Sequence, residues 1–127
     1  MTNNVNSPSL NPIVLVADDL PQVIERWGRE LTDYGIEVLK VTTLEQLDEV
    51  FAEYRHVIDA VILDGCMPGN SVNTIPFVRS ARNSGFVRPI VAASSLGEYR
   101  WQMVSAGCSH QAPKELATEL VADLLTS

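Results

Sequence analysis

The chain has 127 residues, 46% of them apolar, and a formal net charge of -7, which suits one globular domain of the usual size, about 100–200 residues, rather than a disordered or fibrous chain. The acidic balance excludes a chain built to hold nucleic acid, whose phosphates are met by clustered Lys and Arg. No apolar run approaches the ~20 residues that span a bilayer, so membrane insertion is excluded as well.

Residues 1–11, "MTNNVNSPSLN", are polar and have neither a basic start nor an apolar stretch, so they read as a flexible tail and not as a signal peptide. The domain is expected over residues 12–127. Ile13–Ala17 is an unbroken apolar run, which predicts a strand covered on both faces, as in parallel sheets, and it runs straight into Asp18 and Asp19. In the next segment Val23, Ile24, Trp27 and Leu31 recur at helical spacing, with Pro21 near the first turn and Gly35 just past the end. Residues 36–41 form a second predicted strand. Thr43 and Gln46 then make a capping-box pattern ahead of a helix with Leu44, Leu47, Phe51 and Tyr54 as its apolar stripe.

"AVIL", residues 60–63, is the third predicted strand and ends on Asp64. A helix is expected over Asn73–Arg82, with Ile75, Val78 and Ala81 inward and Pro76 tolerated in the first turn. Residues 89–95 give a fourth strand containing Ser94, and Tyr99–Ala106 a helix that stops at Gly107. The stretch "CSHQAP" before Lys114 lacks β-branched and aromatic residues and is a strand only by the alternation of elements. Leu116, Leu120, Val121, Leu124 and Leu125 mark the closing helix.

Strand and helix alternate five times, which predicts an α/β fold with a parallel sheet, helices on both faces and right-handed crossovers. Such sheets bind ligands outside the carboxyl ends of their strands, where the strand order reverses. Asp18, Asp19 and Asp64 all fall at strand ends. Like charges so placed repel, and a cation that neutralises them gives the arrangement a purpose; Mg²⁺ suits hard oxygen ligands best. A carboxylate at such a metal can itself accept a phosphoryl group, supported by a hydroxyl and a cation, and Ser94 and Lys114 supply both at the same edge. Singly, each of these residues could cap a helix or stabilise a turn. Their joint occurrence at strand ends is what points to a site.

With "VADD", "LDGCMPG", "VAAS" and a lysine at 114, the chain resembles the receiver domains of bacterial response regulators from residue 13 to about residue 125. The resemblance implies a flavodoxin-like, doubly wound five-stranded sheet of order 2-1-3-4-5 with five helices. It also implies that Asp64 accepts a phosphoryl group from a sensor histidine kinase or a phosphotransfer protein, while the two cysteines, without the density of a secreted disulfide scaffold, point to a reducing cytoplasm. Mg²⁺ would be held by Asp19, Asp64 and the main-chain carbonyl of Cys66, with Asp18 acting through water, while Ser94 and Lys114 would bind the phosphoryl oxygens and drive the switch. A downstream protein would be met through the fourth helix, fifth strand and fifth helix. The chain would be a switch and not an enzyme, losing its own phosphoryl group at most slowly.

The chain also departs from that pattern. Lys114 is preceded by Pro113 and followed by Glu115, where the family has Lys-Pro. Gln111 stands where a switching Tyr or Phe is usual, so no aromatic switch is expected. The segment from Ser94 to Gly107 is shorter than the family's, which predicts a short or tilted fourth helix. Two other readings stay open: a pseudo-receiver that binds partners without phosphorylation, and a haloacid-dehalogenase-like phosphatase, whose usual second aspartate is replaced by Cys66. Whether the domain stands alone, shuttles phosphoryl groups or is a piece of a larger protein is also open. Cys66 and Cys108 have neither zinc-site spacing nor disulfide density, and His56 and His110 are isolated. Tyr99 and Trp101 are candidates for a docking surface or for the core.

Overall fold

In the computed structural model, which describes residues 11–68 and 71–126, the apolar runs form strands and the amphipathic segments form helices. Apart from Asn11, the expected tail lies outside the described residues. β1 (Ile13–Ala17), β2 (Glu37–Val41), β3 (Ala60–Leu63), β4 (Ile90–Ala93) and β5 (His110–Ala112) alternate with α1 (Pro21–Asp33), α2 (Leu44–Tyr54), α3 (Ile75–Asn83), α4 (Gly97–Ala106) and α5 (Ala117–Thr126). A short 3-10 turn, Lys114–Leu116, leads into α5. The strands are all parallel and lie in the order β2-β1-β3-β4-β5, the doubly wound arrangement expected from the sequence.

Central strands of such a sheet are covered on both faces, and Val14–Ala17 and Ala60–Leu63 are buried without a break. Successive side chains point to opposite faces. Leu15, Ala17, Val61 and Leu63 pack with Leu47, Phe51, Phe77, Val78 and Met103 from α2, α3 and α4. Val14, Val16, Ala60 and Ile62 pack on the other side with Ile24, Trp27 and Leu31 from α1 and Val121 from α5. Phe51 meets Phe77 and Phe86 edge to face, with ring centroids 5.1 and 5.0 Å apart, and this trio closes the α2–α3 side.

The helix starts follow side-chain chemistry. Thr43 caps α2 by accepting from the Gln46 amide at 3.1 Å, while the Gln46 side chain accepts from the amide of Thr42, one residue further back than in a capping box. α3 begins at Ile75 instead of Asn73, because the side chains of Asn73 and Thr74 are bonded to the preceding loop. β4 ends at Ala93, short of residue 95, and α4 starts at Gly97, ahead of Tyr99. Within α4 Met103 is the buried residue, so this helix rests lightly on the sheet. Tyr54 and Leu116 are exposed rather than in the apolar stripes expected of them. β5 forms despite its weak propensity because His110–Ala112 pair with Val91–Ala93 at the edge of an existing sheet.

Candidate functional site

The register of the two central strands builds the site. Ala17 pairs with Leu63, so Asp18 and Asp64 leave the sheet side by side at the point where the strand order reverses. The amide of Asp64 donates to the Ala17 carbonyl at 2.9 Å, which fixes their level. Asp18, Asp19 and Asp64 each present a carboxylate oxygen, and these oxygens lie within 4.8 Å of one another.

Asp18 is wholly buried. Its Oδ1 accepts from the Leu20 amide at 2.8 Å, which ties it to the start of α1. Its Oδ2 lies 2.7 Å from Lys114 Nζ in a buried ion pair and accepts no hydrogen bond from any other group among the described residues. A carboxylate oxygen accepts more than one bond, so a water held between it and a cation would be a further partner. Asp64 Oδ1 accepts from the Gly65 amide at 2.9 Å and lies 3.4 Å from Lys114 Nζ.

Burial, followed by the nearby charge of Asp18, raises the Asp64 carboxyl from its ordinary 3.8 to about 6, against the pull of Lys114. For Lys114, burial alone would lower the pKa, but the bonds and charges of Asp18 and Asp64 outweigh it and the ammonium is held more firmly than usual. Lys114 reaches both acids with Glu115, not proline, as the next residue. The three acids form an all-oxygen donor set, which suits a hard divalent cation such as Mg²⁺.

Ser94 is buried at the end of β4. Its Oγ accepts from the Leu96 amide at 3.2 Å, and its carbonyl accepts from Arg100 Nη1 at 2.6 Å. Arg100 Nε in turn donates to Gln111 Oε1 on β5 at 3.3 Å. Ser94, Asp19, Asp64 and Lys114 line one open cavity of about 280 Å³, together with Cys66 and Tyr99. The Cys66 thiol is pushed up by burial and then by the negative charges of Asp64 and Asp19, which disfavours the thiolate. His56 lies beside Asn11 and Ile13 at the opposite end of the strands, and His110 opens β5, so neither joins the site. Trp101 is 67% exposed on α4.

Residues that sequence reasoning missed hold the loop after Asp64. Thr74 Oγ1 donates to the carbonyls of Asp64 and Gly65 at 2.9 and 3.2 Å. Asn73 accepts from the Met67 amide at 2.8 Å and donates to the Pro68 carbonyl at 3.0 Å. The signal available was an Asn-Thr pair just before a helix, since those side chains bond locally to backbone. Trp27 was legible as core, but its donation to the Lys114 carbonyl at 3.0 Å was not.

No protein-family model matches the chain, and no curated protein does either. Solved structures match along most of its length. A response regulator receiver domain protein from Clostridium thermocellum superposes with a TM-score of 0.76 at 20% identity, over 88% of this chain and 89% of that one. A response regulator receiver protein from Burkholderia phymatum gives 0.72 at 25% identity, over 91% and 92%. The BeF₃-activated N-terminal receiver domain of Klebsiella pneumoniae RstA gives 0.72 at 24%, over 89% and 95%. The chain has the response-regulator receiver fold. In this receiver fold Asp18, Asp19, Asp64, Ser94 and Lys114 meet at one edge of the sheet, as their strand-end positions implied. Among the described residues, no helix of the receiver fold is long and apolar enough to cross a membrane.

Proposed function

We propose that this chain is a phosphorylatable receiver in which Asp64 accepts a phosphoryl group from a histidine kinase or phosphotransfer protein. The observation that carries the reading is the placement of Asp64 beside Asp18 and Asp19, with the Lys114 ammonium 3.4 Å from Asp64 and 2.7 Å from Asp18. Mg²⁺ would be held by Asp19, Asp64 and the Cys66 carbonyl, and by Asp18 through water, since its Oδ2 accepts nothing beyond the ion pair with Lys114. Bound there, the ion would offset charge on the phosphoryl oxygens.

The remaining work falls to the chain's own groups. One Asp64 carboxylate oxygen forms a bond to phosphorus as the bond from phosphorus to the donor imidazole nitrogen breaks. The electron pair leaves with the imidazole, which takes up a proton. With a pKa of about 6, Asp64 is still mostly ionised at neutral pH and is more basic than an ordinary aspartate. Lys114 stands ready to pair with the transferred oxygens, and Ser94, which lines the same cavity, to donate its hydroxyl. The changed surface would be read by a partner protein at α4, β5 and α5. The domain unit is residues 12–127, acting in the cytoplasm as a switch with slow self-dephosphorylation and no other turnover.

Intact mass after incubation with acetyl phosphate and Mg²⁺ tests the proposal. One added phosphoryl group is expected on the wild type and none on Asp64→Asn. A wild type that stays unmodified with acetyl phosphate and with histidine kinases alike would instead be a phosphorylation-independent binding module.

A further inference from the structure

The turn that carries Lys114 is held from α1. Trp27, which is wholly buried, donates its indole N–H to the Lys114 carbonyl at 3.0 Å, and its neighbour Arg26 donates Nη2 to the Glu115 carbonyl at 3.4 Å. Two consecutive carbonyls of the 3-10 turn are thus tied to two consecutive residues of one helix. The same helix is fastened to the start of α5, where Thr118 Oγ1 donates to Glu30 Oε1 at 2.7 Å. The turn's own bond, from the Leu116 amide to the Pro113 carbonyl at 3.0 Å, does not reach outside it.

A lysine ammonium rides on a flexible four-carbon stem, so its position depends on where the backbone holds the start of that stem. Here the ammonium must meet Asp18 at 2.7 Å and Asp64 at 3.4 Å. No proline follows Lys114 to stiffen the chain. A buried indole N–H needs an acceptor, and the one it has is the carbonyl of this lysine. We infer that Trp27 is a positioning residue for Lys114, fixing through its N–H where the ammonium stands against Asp18 and Asp64. Arg26, on the exposed side of the turn, assists more weakly.

The inference rests on the phosphoacceptor reading, and the experiment separates the two. Beryllofluoride stands in for the phosphoryl group, and its dissociation constant in excess Mg²⁺ is read by ¹⁹F NMR. Trp27→Phe removes the donor. Incorporation of benzothienylalanine at position 27 keeps the bicyclic ring and removes only the N–H, which covers the case where the smaller ring disturbs folding. Either change is expected to weaken binding about fivefold, the usual net worth of one neutral hydrogen bond. Lys114→Gln is expected to weaken it by about tenfold or more, as loss of a charged partner does. In the Lys114→Gln background, removing the N–H should change nothing further, since a residue that acts through Lys114 has nothing left to position. Wild-type affinity without the N–H, or the same fivefold loss with and without Lys114, overturns the inference and leaves the phosphoacceptor reading standing. A wild type that binds no beryllofluoride overturns both.

Discussion

Arg100 donates to the carbonyl of Ser94 at 2.6 Å, reaching back from α4 to the residue on which β4 leaves the sheet. Beside the packing of Met103, the buried residue of α4, this bond and the Arg100–Gln111 contact tie the helix to the residue after β4 and to β5. Any movement of Ser94 is therefore felt by α4 through Arg100.

Arg100→Met keeps most of the stem and loses both bonds. Amide hydrogen exchange should then quicken by about tenfold across residues 95–106 while β1 and β3 exchange as before, because local opening reports local ties. Gln111→Ala, which removes only the longer and exposed contact, should change exchange much less. Equal protection of α4 in Arg100→Met and wild type would show that packing alone holds the helix.

The raised pKa of Asp64 sets a pH dependence in Mg²⁺-free solution. Between its ordinary 3.8 and about 6 the folded chain keeps a proton that the unfolded chain has released. Stability contributed by this group is therefore highest at low pH and is lost as pH rises through that window. Allowing for solvent at the mouth of the cavity, the loss is on the order of 1–2 kcal/mol. Thermal melts from pH 4 to 7 should show wild type losing ground relative to Asp64→Asn, and an Asp64→Asn variant that tracks wild type throughout would refute the assignment.

Lys114 faces two buried carboxylates, so removing it leaves them uncompensated. Lys114→Met should destabilise the metal-free protein by about 3 kcal/mol, the usual cost of breaking a buried pair. Mg²⁺ should restore part of that loss by neutralising the same acids. Chemical denaturation with and without Mg²⁺ measures both, and an equal loss under the two conditions would place the cation elsewhere.

Asp19 is the half-buried member of the acid cluster and the one nearest solvent. Mg²⁺ at about a hundred times its dissociation constant should stabilise wild type by about 2.7 kcal/mol through binding linkage. Asp19→Ala should melt almost independently of Mg²⁺. A full Mg²⁺ response in that variant would remove Asp19 from the metal site.

Elements whose apolar residues sit at one period were legible from sequence because burial dictates that pattern: β1, β3 and the core face of α1 fall where Val14, Ile62 and Trp27 imply. The strand-end residues Asp18, Asp64, Ser94 and Lys114 were legible because the alternation of elements puts strand ends together. What holds them was not. Trp27, Thr74 and Arg100 act through side-chain bonds to backbone carbonyls outside their own elements, and such pairings leave no periodic trace. The start of α3 shifted for the same reason, since Asn73 and Thr74 are used by the loop before they can join a helix. β5 carries no propensity of its own and exists because β4 offers it an edge.

Gly65 determines how much space separates the peptide after Asp64 from α4. A methyl group on it would meet Met103 Sδ at 3.3 Å and Tyr99 Cβ at 3.7 Å. The clearance between the peptide after Asp64 and the helix is thus about the thickness of one methyl. With alanine there, Met103 would have to give way by a few tenths of an ångström even at rest. With glycine no such displacement is needed, so the loop after Asp64 and the Met103 side chain of α4 can lie as close as they do.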